Sequence, residues 1–269
     1  MRLASLAMYV QPPELADATQ QLWRFIQGRL TDIGMVDIPG ELDRNIAHDA
    51  AWLHPDLLLS QTCGYPYVTS LRGRVRLVAT PIYNHAGCEG PLQCSFIIVR
   101  RDQMAVELSD MRNCRAAIND DASNSGMNVL RAAIAPLAID GHFFSDVIKT
   151  GGHLQSIEAV ATSQADVAAI DCVTFGNIRR FNSTRLSNVR ILAQTAKTPG
   201  LPFITRGDAT DDDVAGLQQI LQDASVAPSL AATRDALSLV GFQILPDTAY
   251  DRVLELEAKA VRAGYPVIA

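Results

Sequence analysis

Residues 118–137 read INDDASNSGMNVLRAAIAPL, and residues 149–171 read KTGGHLQSIEAVATSQADVAAID. The first stretch is the end of a predicted strand, a turn rich in Ser and Asn, and a predicted helix. The second is a Gly-Gly turn, a second helix and a buried strand that ends in a carboxylate. Strand, polar turn and helix in this succession predict an α/β fold.

The same alternation extends over most of the chain. Strands are predicted at 3–10, 57–61, 75–80, 94–99, 115–118, 167–171 and 189–193, and helices at 16–31, 126–138, 153–162, 212–224, 229–240 and 249–263. This pattern favours mostly parallel sheets. No Gly/Ser-rich linker divides the chain, so we expect two interleaved domains between which the chain passes more than once.

Composition excludes several classes of protein. The 269 residues carry 23 Lys and Arg against 29 Asp and Glu, a net charge of −6, which argues against a nucleic-acid-binding surface. No apolar run approaches the 18 or so residues of a membrane span. The N-terminal stretch does not follow the pattern of a secretory signal, so the sequence as written predicts a cytoplasmic protein.

The five cysteines follow neither a disulfide framework nor a zinc motif, because none is arranged as C-x-x-C. We expect reduced thiols, although Cys88 and Cys94 are near enough in sequence to bridge in an oxidising compartment. The histidines show no metal-ligand spacing, so no metal and no cofactor is predicted.

Three segments are candidates for binding an anion. Ser123–Gly126 opens a helix, where free N–H groups and hydroxyls attract negative charge. His153 opens another helix and shares a face with Ser156. Asp171 ends a buried strand, at the edge where α/β proteins bind ligands. The structural alternative is the same for all three segments: they serve as ordinary helix caps.

The order NDxxSxSG, helix, GGHxxSIxAVxxxxADVAAID resembles the substrate-binding proteins of phosphate, phosphite and phosphonate ABC transporters. The resemblance is densest from Leu108 to Asp171. It implies the type 2 periplasmic binding protein fold, with two lobes joined by two crossover strands. Lobe 1 would comprise residues 1–95 and 195–269, and lobe 2 residues 96–194. A ligand cleft between them would close by a hinge near 96–100 and 191–194. By analogy with the family, the protein would be periplasmic.

The resemblance also implies roles for single residues. Ser123, Asn124, Ser125 and the amide of Gly126 would hold the ligand's oxyanion, together with His153 and Ser156, and Asp171 would receive a cationic group. Tyr9 and Tyr65 would form aromatic walls, with Tyr83 as a weaker candidate. This sequence departs from the family in its Ser-Asn-Ser order and in Gly152, where serine is more usual.

The implied function is capture of a small oxyanion, a phosphonate or phosphate compound, either as the substrate-binding component that serves an ABC permease or as a non-exported relative of such components. No catalytic residue is predicted, since the phosphate-loop, hydrolase and zinc-protease motifs are missing from the sequence. Two alternatives stay open. One is an enzyme on the same fold, similar to thiamine-pyrimidine synthases. The other is a cytoplasmic ligand sensor.

Overall fold

Strands and helices alternate through most of the computed structural model, which describes residues 2–269. The strands are β1 Leu3–Ser5, β2 Leu57–Gln61, β3 Val75–Tyr83, β4 Cys88–Glu89, β5 Leu92–Gln93, β6 Ser95–Arg100, β7 Arg115–Ile118, β8 Asp146–Lys149, β9 Val167–Asp171, β10 Val189–Gln194, β11 Thr198–Pro199, β12 Phe203–Arg206 and β13 Leu239–Gln243. The α-helices are α1 Pro13–Asp32, α2 His48–Trp52, α3 Gly64–Pro66, α4 Val129–Ile134, α5 His153–Ala161, α6 Cys172–Phe181, α7 Asp211–Val226, α8 Ala231–Leu237 and α9 Asp251–Arg262.

The chain forms two compact units. The first unit comprises the described residues up to Asn84, Glu89–Pro91 and Pro199–Ala249. The second unit comprises His85–Cys88, Leu92–Thr198 and Tyr250–Ala269.

The unit boundaries differ from the predicted lobes at the C-terminus, because Tyr250–Ala269 belongs to the second unit, whereas the predicted lobe 1 included 195–269. Glu257 forms an ion pair with Arg131 of α4 at 3.2 Å, and the carbonyl of Ala269 accepts a hydrogen bond from the Phe143 amide at 2.9 Å. These contacts fix residues 250–269 to the second unit. The short stretches 92–95 and 195–198 also belong to the second unit.

The first unit contains a five-stranded sheet with the order β1-β2-β12-β3-β13. Only β1 and β2 are parallel, and the remaining pairs are antiparallel. The expectation of mostly parallel sheets is therefore wrong for this unit. Helix α1 buries Trp23 completely, and the indole N–H donates to the carbonyl of Pro39 at 3.1 Å.

The second unit contains a five-stranded sheet with the order β10-β6-β9-β7-β8. Strands β9, β7 and β8 are parallel, whereas β6 and β10 are antiparallel to their neighbours. The carboxyl ends of three parallel strands meet at one edge of a sheet. The segments after β7, β8 and β9 therefore lie at the same edge, and they are the three segments singled out in the sequence.

Other sequence-based boundaries need correction. The first strand ends at Ser5 rather than at residue 10, because β1 pairs with β2 only over Leu3–Ser5. The helix predicted over 229–240 ends at Leu237, and Ser238 then adopts a left-handed conformation that starts β13. Helix α6 and strands β8, β12 and β13 were not predicted.

Candidate anion-binding site

The turn after β7 begins a helical segment at Asn124. Ser123 is the N-cap, and its Oγ accepts a hydrogen bond from the Gly126 amide at 3.0 Å. The first turn is a wide π-helical turn, Asn124–Asn128, which continues directly into α4. The first N–H groups of a helix have no acceptor within the helix, so this turn gathers donors at the sheet edge. In this protein the turn is called the anion turn.

Ser125 of the anion turn meets the first residue of α5. Its Oγ lies 2.9 Å from Nε2 of His153, and both side chains are partly exposed. Helix α5 begins after Gly152, which provides no side-chain cap. His153 is therefore the first residue with a side chain at the start of α5. Its ring nitrogen and the Ser125 hydroxyl face each other at the surface of the second unit.

The environment of His153 keeps the ring neutral. Burial lowers the pKa of His153, and the negative charge of Asp171 and the backbone at Ala169 oppose that shift only in part. The second ring nitrogen, Nδ1, is buried and forms no hydrogen bond of good geometry with any described residue. A neutral imidazole donates from one nitrogen and accepts at the other, so it can adapt to Ser125 or to a ligand.

Gly126 is required for the close packing of the two turns. A Cβ at this position would lie 1.8 Å from Oδ1 of Asn119 and 3.3 Å from Cε1 of His153. Asn119 follows β7 and connects both turns, because its carbonyl accepts the Gly151 amide at 2.9 Å. The buried Oδ1 of Asn119 has no hydrogen-bond partner among residues 2–269.

Asn124 points away from the Ser125–His153 pair and into a buried polar chain. Its Nδ2 donates to Thr198 Oγ1 at 2.9 Å, and its Oδ1 accepts from Asn128 at 3.0 Å. Arg131 donates to Asn128 Oδ1 at 2.8 Å and pairs with Glu257. Both amide atoms of Asn124 therefore serve the protein's own network, and the contact with ligand predicted for this residue stays a prediction.

Ser156 is buried inside the Gly-Gly turn. Its Oγ lies 2.6 Å from Thr150 Oγ1, and Thr150 also donates to the carbonyl of Ile118 at 3.2 Å. Ser156 thus ties the start of α5 to the end of β7. Its side chain is buried behind the Ser125–His153 pair, and its predicted role as a ligand contact stays a prediction.

Asp171 ends β9 and is the N-cap of α6. Its Oδ1 accepts from the amides of Val173 and Thr174 at 2.8 and 2.9 Å, and the residue is 2% exposed. Asp171 therefore serves as a helix cap, which is the structural alternative to a ligand contact. Burial lowers the pKa of His153 and of His85, and the negative charge of Asp171 partly opposes that lowering, so the carboxylate acts electrostatically on the same edge of the sheet.

The aromatic candidates belong to the first unit. Tyr9 lies in a turn beyond β1, and its ring packs edge-to-face on Tyr83 at 5.4 Å between centroids. Tyr65 lies in the short helix α3. All three rings are partly exposed. Their predicted role as walls of a ligand site is untested and stays a prediction.

Sequence reasoning missed three residues of this region, namely Asn119, Asn128 and Arg131. A signal was present for Arg131, because it is the single charge within the otherwise apolar run that follows the anion turn. Such a charge on a buried helix face needs a partner. The partner, Glu257, lies 126 residues later, and no local pattern indicates it.

No set of three or more His, Cys, Asp or Glu side chains in residues 2–269 is arranged to hold a metal ion. No described helix combines the length and the apolar character needed to cross a bilayer.

A family model described as the periplasmic substrate-binding protein of phosphonate ABC transporters matches residues 56–250. No curated protein matches the sequence. Among solved structures, PhnD1 from Prochlorococcus marinus in complex with methylphosphonate is 16% identical, with a TM-score of 0.76 over 97% of this chain and 98% of that one.

Two other solved structures have similar folds. A binding protein component of an ABC phosphonate transporter from Pseudomonas aeruginosa is 16% identical, with a TM-score of 0.76 over 97% of this chain and 87% of that one. A protein from Xanthomonas citri bound to ATP is 18% identical, with a TM-score of 0.70 over 98% of both chains. The fold is accordingly that of the two-lobed periplasmic binding proteins.

Proposed function

Because the chain belongs to the family of periplasmic phosphonate substrate-binding proteins of ABC transporters, we propose that it captures a small phosphonate or phosphate compound at the anion turn. The family consists of transporter components and not of enzymes. The observation that carries the proposal is the Ser125–His153 pair, at 2.9 Å, beside the N–H groups of the anion turn. The partner would be an ABC permease, and the place of action the periplasm by analogy with the family.

The chemistry of the site suits an oxyanion without the help of a cation. A tetrahedral anion that enters between Ser125 and His153 would accept hydrogen bonds from the Ser125 hydroxyl and from a ring N–H of His153. The N–H groups at the start of the helical segment, apart from that of Gly126, which donates to Ser123 Oγ, would supply further donors, and they carry the positive end of the helix dipole. The Asn119 amide, whose Oδ1 has no hydrogen-bond partner within residues 2–269, would turn its Nδ2 towards the bound anion.

The polar chain behind Asn124 would keep these donors in place before the ligand arrives. Arg131 is 5% exposed, and Asn128 is fully buried. Because their hydrogen bonds hold the anion turn from behind, binding would not have to order the turn first, and preorganised donors bind more tightly than mobile ones. Closure of the two lobes on the ligand stays a prediction from the family resemblance.

Titration calorimetry with methylphosphonate, inorganic phosphate and ATP would test the proposal. The parent protein should bind at least one of these compounds reversibly and leave it unchanged. Ser125→Ala and His153→Ala should each weaken binding by roughly 10- to 100-fold, the range for loss of one hydrogen bond to a charged group.

A matched control lies at the far end of α5. Thr162 is exposed and only hydrogen-bonds the carbonyl of Glu158, so Thr162→Val should bind like the parent. Equal affinity of the Ser125 and His153 variants and the parent would refute the assigned site. No binding of any of the three anions would refute the ligand class.

A further inference from the structure

Three of the five cysteines converge in the second unit. Sγ of Cys88 lies 3.6 Å from Sγ of Cys172, and Cys172 also interacts with the thiol of Cys94. None of the five cysteines, all of which lie within residues 2–269, is in a disulfide. Their sequence spacing allows Cys88 and Cys94 to pair, but the structure places Cys172 in contact with each of them.

The backbone next to Cys88 packs closely against Cys94 and Cys172. Gly87 has a φ of +93°, and a Cβ there would lie 2.7 Å from Cβ of Cys172 and 2.8 Å from Sγ of Cys94. Only glycine combines this conformation with such a close approach. The close approach of Gly87 therefore positions the next residue, Cys88, beside Cys172.

The two thiols of the close pair differ in access and acidity. Cys88 is partly exposed, whereas Cys172 is completely buried. The hydrogen bond between the two thiols lowers the pKa of Cys88 and raises the pKa of Cys172. Cys88 thus has the character of an attacking thiolate, and Cys172 that of a resolving thiol.

We propose that Cys88 and Cys172 are a redox-active thiol pair, which a low-molecular-weight disulfide such as oxidised glutathione converts to an intramolecular disulfide. The Cys88 thiolate attacks one sulfur of the reagent, the reagent's S–S bond breaks, and one thiolate leaves and takes up a proton. Cys172 then loses its proton and attacks the Cys88 sulfur, which releases the second thiol. Two protein thiols are oxidised and one disulfide is reduced to two thiols.

The geometry requires only a small movement. A disulfide brings two sulfurs to about 2.05 Å, so the gap must close by about 1.5 Å. Cys88 lies on the two-residue strand β4, so a shift of this residue would disrupt only a short stretch of sheet. Cys94 is 3% exposed and its Sγ lies 3.8 Å from Gln194 Oε1, so a reagent in solvent meets Cys88 first.

The test is a titration of the native full-length protein with oxidised glutathione at pH 8, followed by thiol counting and non-reducing peptide mapping. Two thiols should disappear, a Cys88–Cys172 linked peptide should form, and dithiothreitol should restore all five thiols. Cys88→Ser should retain its four thiols. Cys172→Ser should accumulate glutathione on Cys88, because no resolving thiol is left.

Cys63 and Cys114 provide matched controls, because both are partly exposed as Cys88 is. Burial raises the pKa of Cys114, so it should react more slowly than Cys88. Cys63→Ser and Cys114→Ser should oxidise like the parent. A Cys88–Cys94 or Cys94–Cys172 bond, or oxidation of Cys63 or Cys114 ahead of Cys88, would overturn the proposal. Cys88→Ser alters a partly exposed side chain, so its result does not depend on whether the buried Cys172 tolerates substitution.

Discussion

The helices α5 and α6 both begin at the carboxyl edge of the second sheet, but their first turns are occupied differently. At α6 the carboxylate of Asp171 accepts two backbone amides. At α5 Gly152 gives no side-chain cap, and His153 turns to the Ser125 hydroxyl instead. The protein supplies its own anion at one helix start and neutral donors at the other. Under the proposed function, an external anion would therefore bind beside α5 and the anion turn and not at α6.

The difference also divides the site into a rigid and an adjustable part. Asn124, Asn128 and Arg131 are buried and hydrogen-bonded, whereas Ser125 and His153 are partly exposed and bonded to one another. An adjustable pair can exchange its mutual hydrogen bond for bonds to a ligand at little cost. The buried network of Asn124, Asn128 and Arg131 would hold the backbone of the anion turn in place while Ser125 and His153 exchange their hydrogen bond for bonds to a ligand.

Removing the buried charge should have the largest effect on the rigid part. Arg131→Met removes the hydrogen bonds that the guanidinium donates to Asn128, Glu257 and the carbonyl of Pro266. The expected loss is about 3 kcal/mol of unfolding free energy, measured by urea titration. Arg29→Met, which breaks an exposed pair with Asp223, should cost less than about 1 kcal/mol. Equal losses in the two variants would contradict the role of Arg131.

Gly126→Ala tests the packing between the anion turn and α5. The added methyl group would collide with Asn119 and press on His153, which should cost about 1–3 kcal/mol in urea unfolding and weaken methylphosphonate binding. Gly28→Ala in α1 is the control, since nothing lies within 4 Å of its Cβ position. This control should stabilise the protein by up to about 1 kcal/mol through helix propensity. The same sign of change in both variants would disprove the close approach.

Asp171 variants separate its capping role from its charge. Asp171→Ala removes the N-cap and should cost about 1 kcal/mol, whereas Asp171→Asn keeps a capping oxygen and should cost much less. Asp171→Asn should leave methylphosphonate affinity unchanged and weaken binding only of an aminoalkylphosphonate, which carries a cationic group. If it weakens methylphosphonate equally, the cation role carried over from the family is wrong.

The smallest expected effect is a pH dependence of stability through His153. Its pKa in the folded protein lies below the ordinary value of 6.5, so the unfolded chain binds more protons as the pH falls through that value. Stability should therefore fall as the pH drops below 6.5, until the lowered pKa is passed. Because the pKa of His85 is lowered by burial as well, the comparison is made with His153→Gln. The Tm of this variant should decline less than that of the parent between pH 7 and pH 5.

Elements of the fold that depend on local composition were predictable. The bounds of β2, β7 and β9 are confirmed to the residue, because each is a short apolar run that polar residues delimit. The start of α7 is also confirmed within one residue, since Thr210 and Asp213 form a capping box. The family and the binding-protein fold, predicted from the motif order, are confirmed by the family model and the solved structures.

Features that depend on distant partners were not predictable. Asp247 pairs with Arg72 at 3.0 Å although the two residues lie far apart in the sequence, and no local pattern indicates this ion pair. The contact of Cys88 with Cys172 spans 84 residues, whereas sequence proximity favoured Cys94. In each case several partners were equally plausible along the chain, and only the folded backbone selects one of them.

The second unit is assembled from three separate stretches of chain, and this arrangement determines when it can fold during synthesis. Arg131 emerges from the ribosome 126 residues before Glu257. At about 5–20 residues per second, the nascent chain waits roughly 6–25 s with that guanidinium lacking its carboxylate. The anion turn can reach its final rigidity only once the last helix has been translated, so a nascent chain that stalls before α9 would present an incomplete second unit to chaperones and proteases.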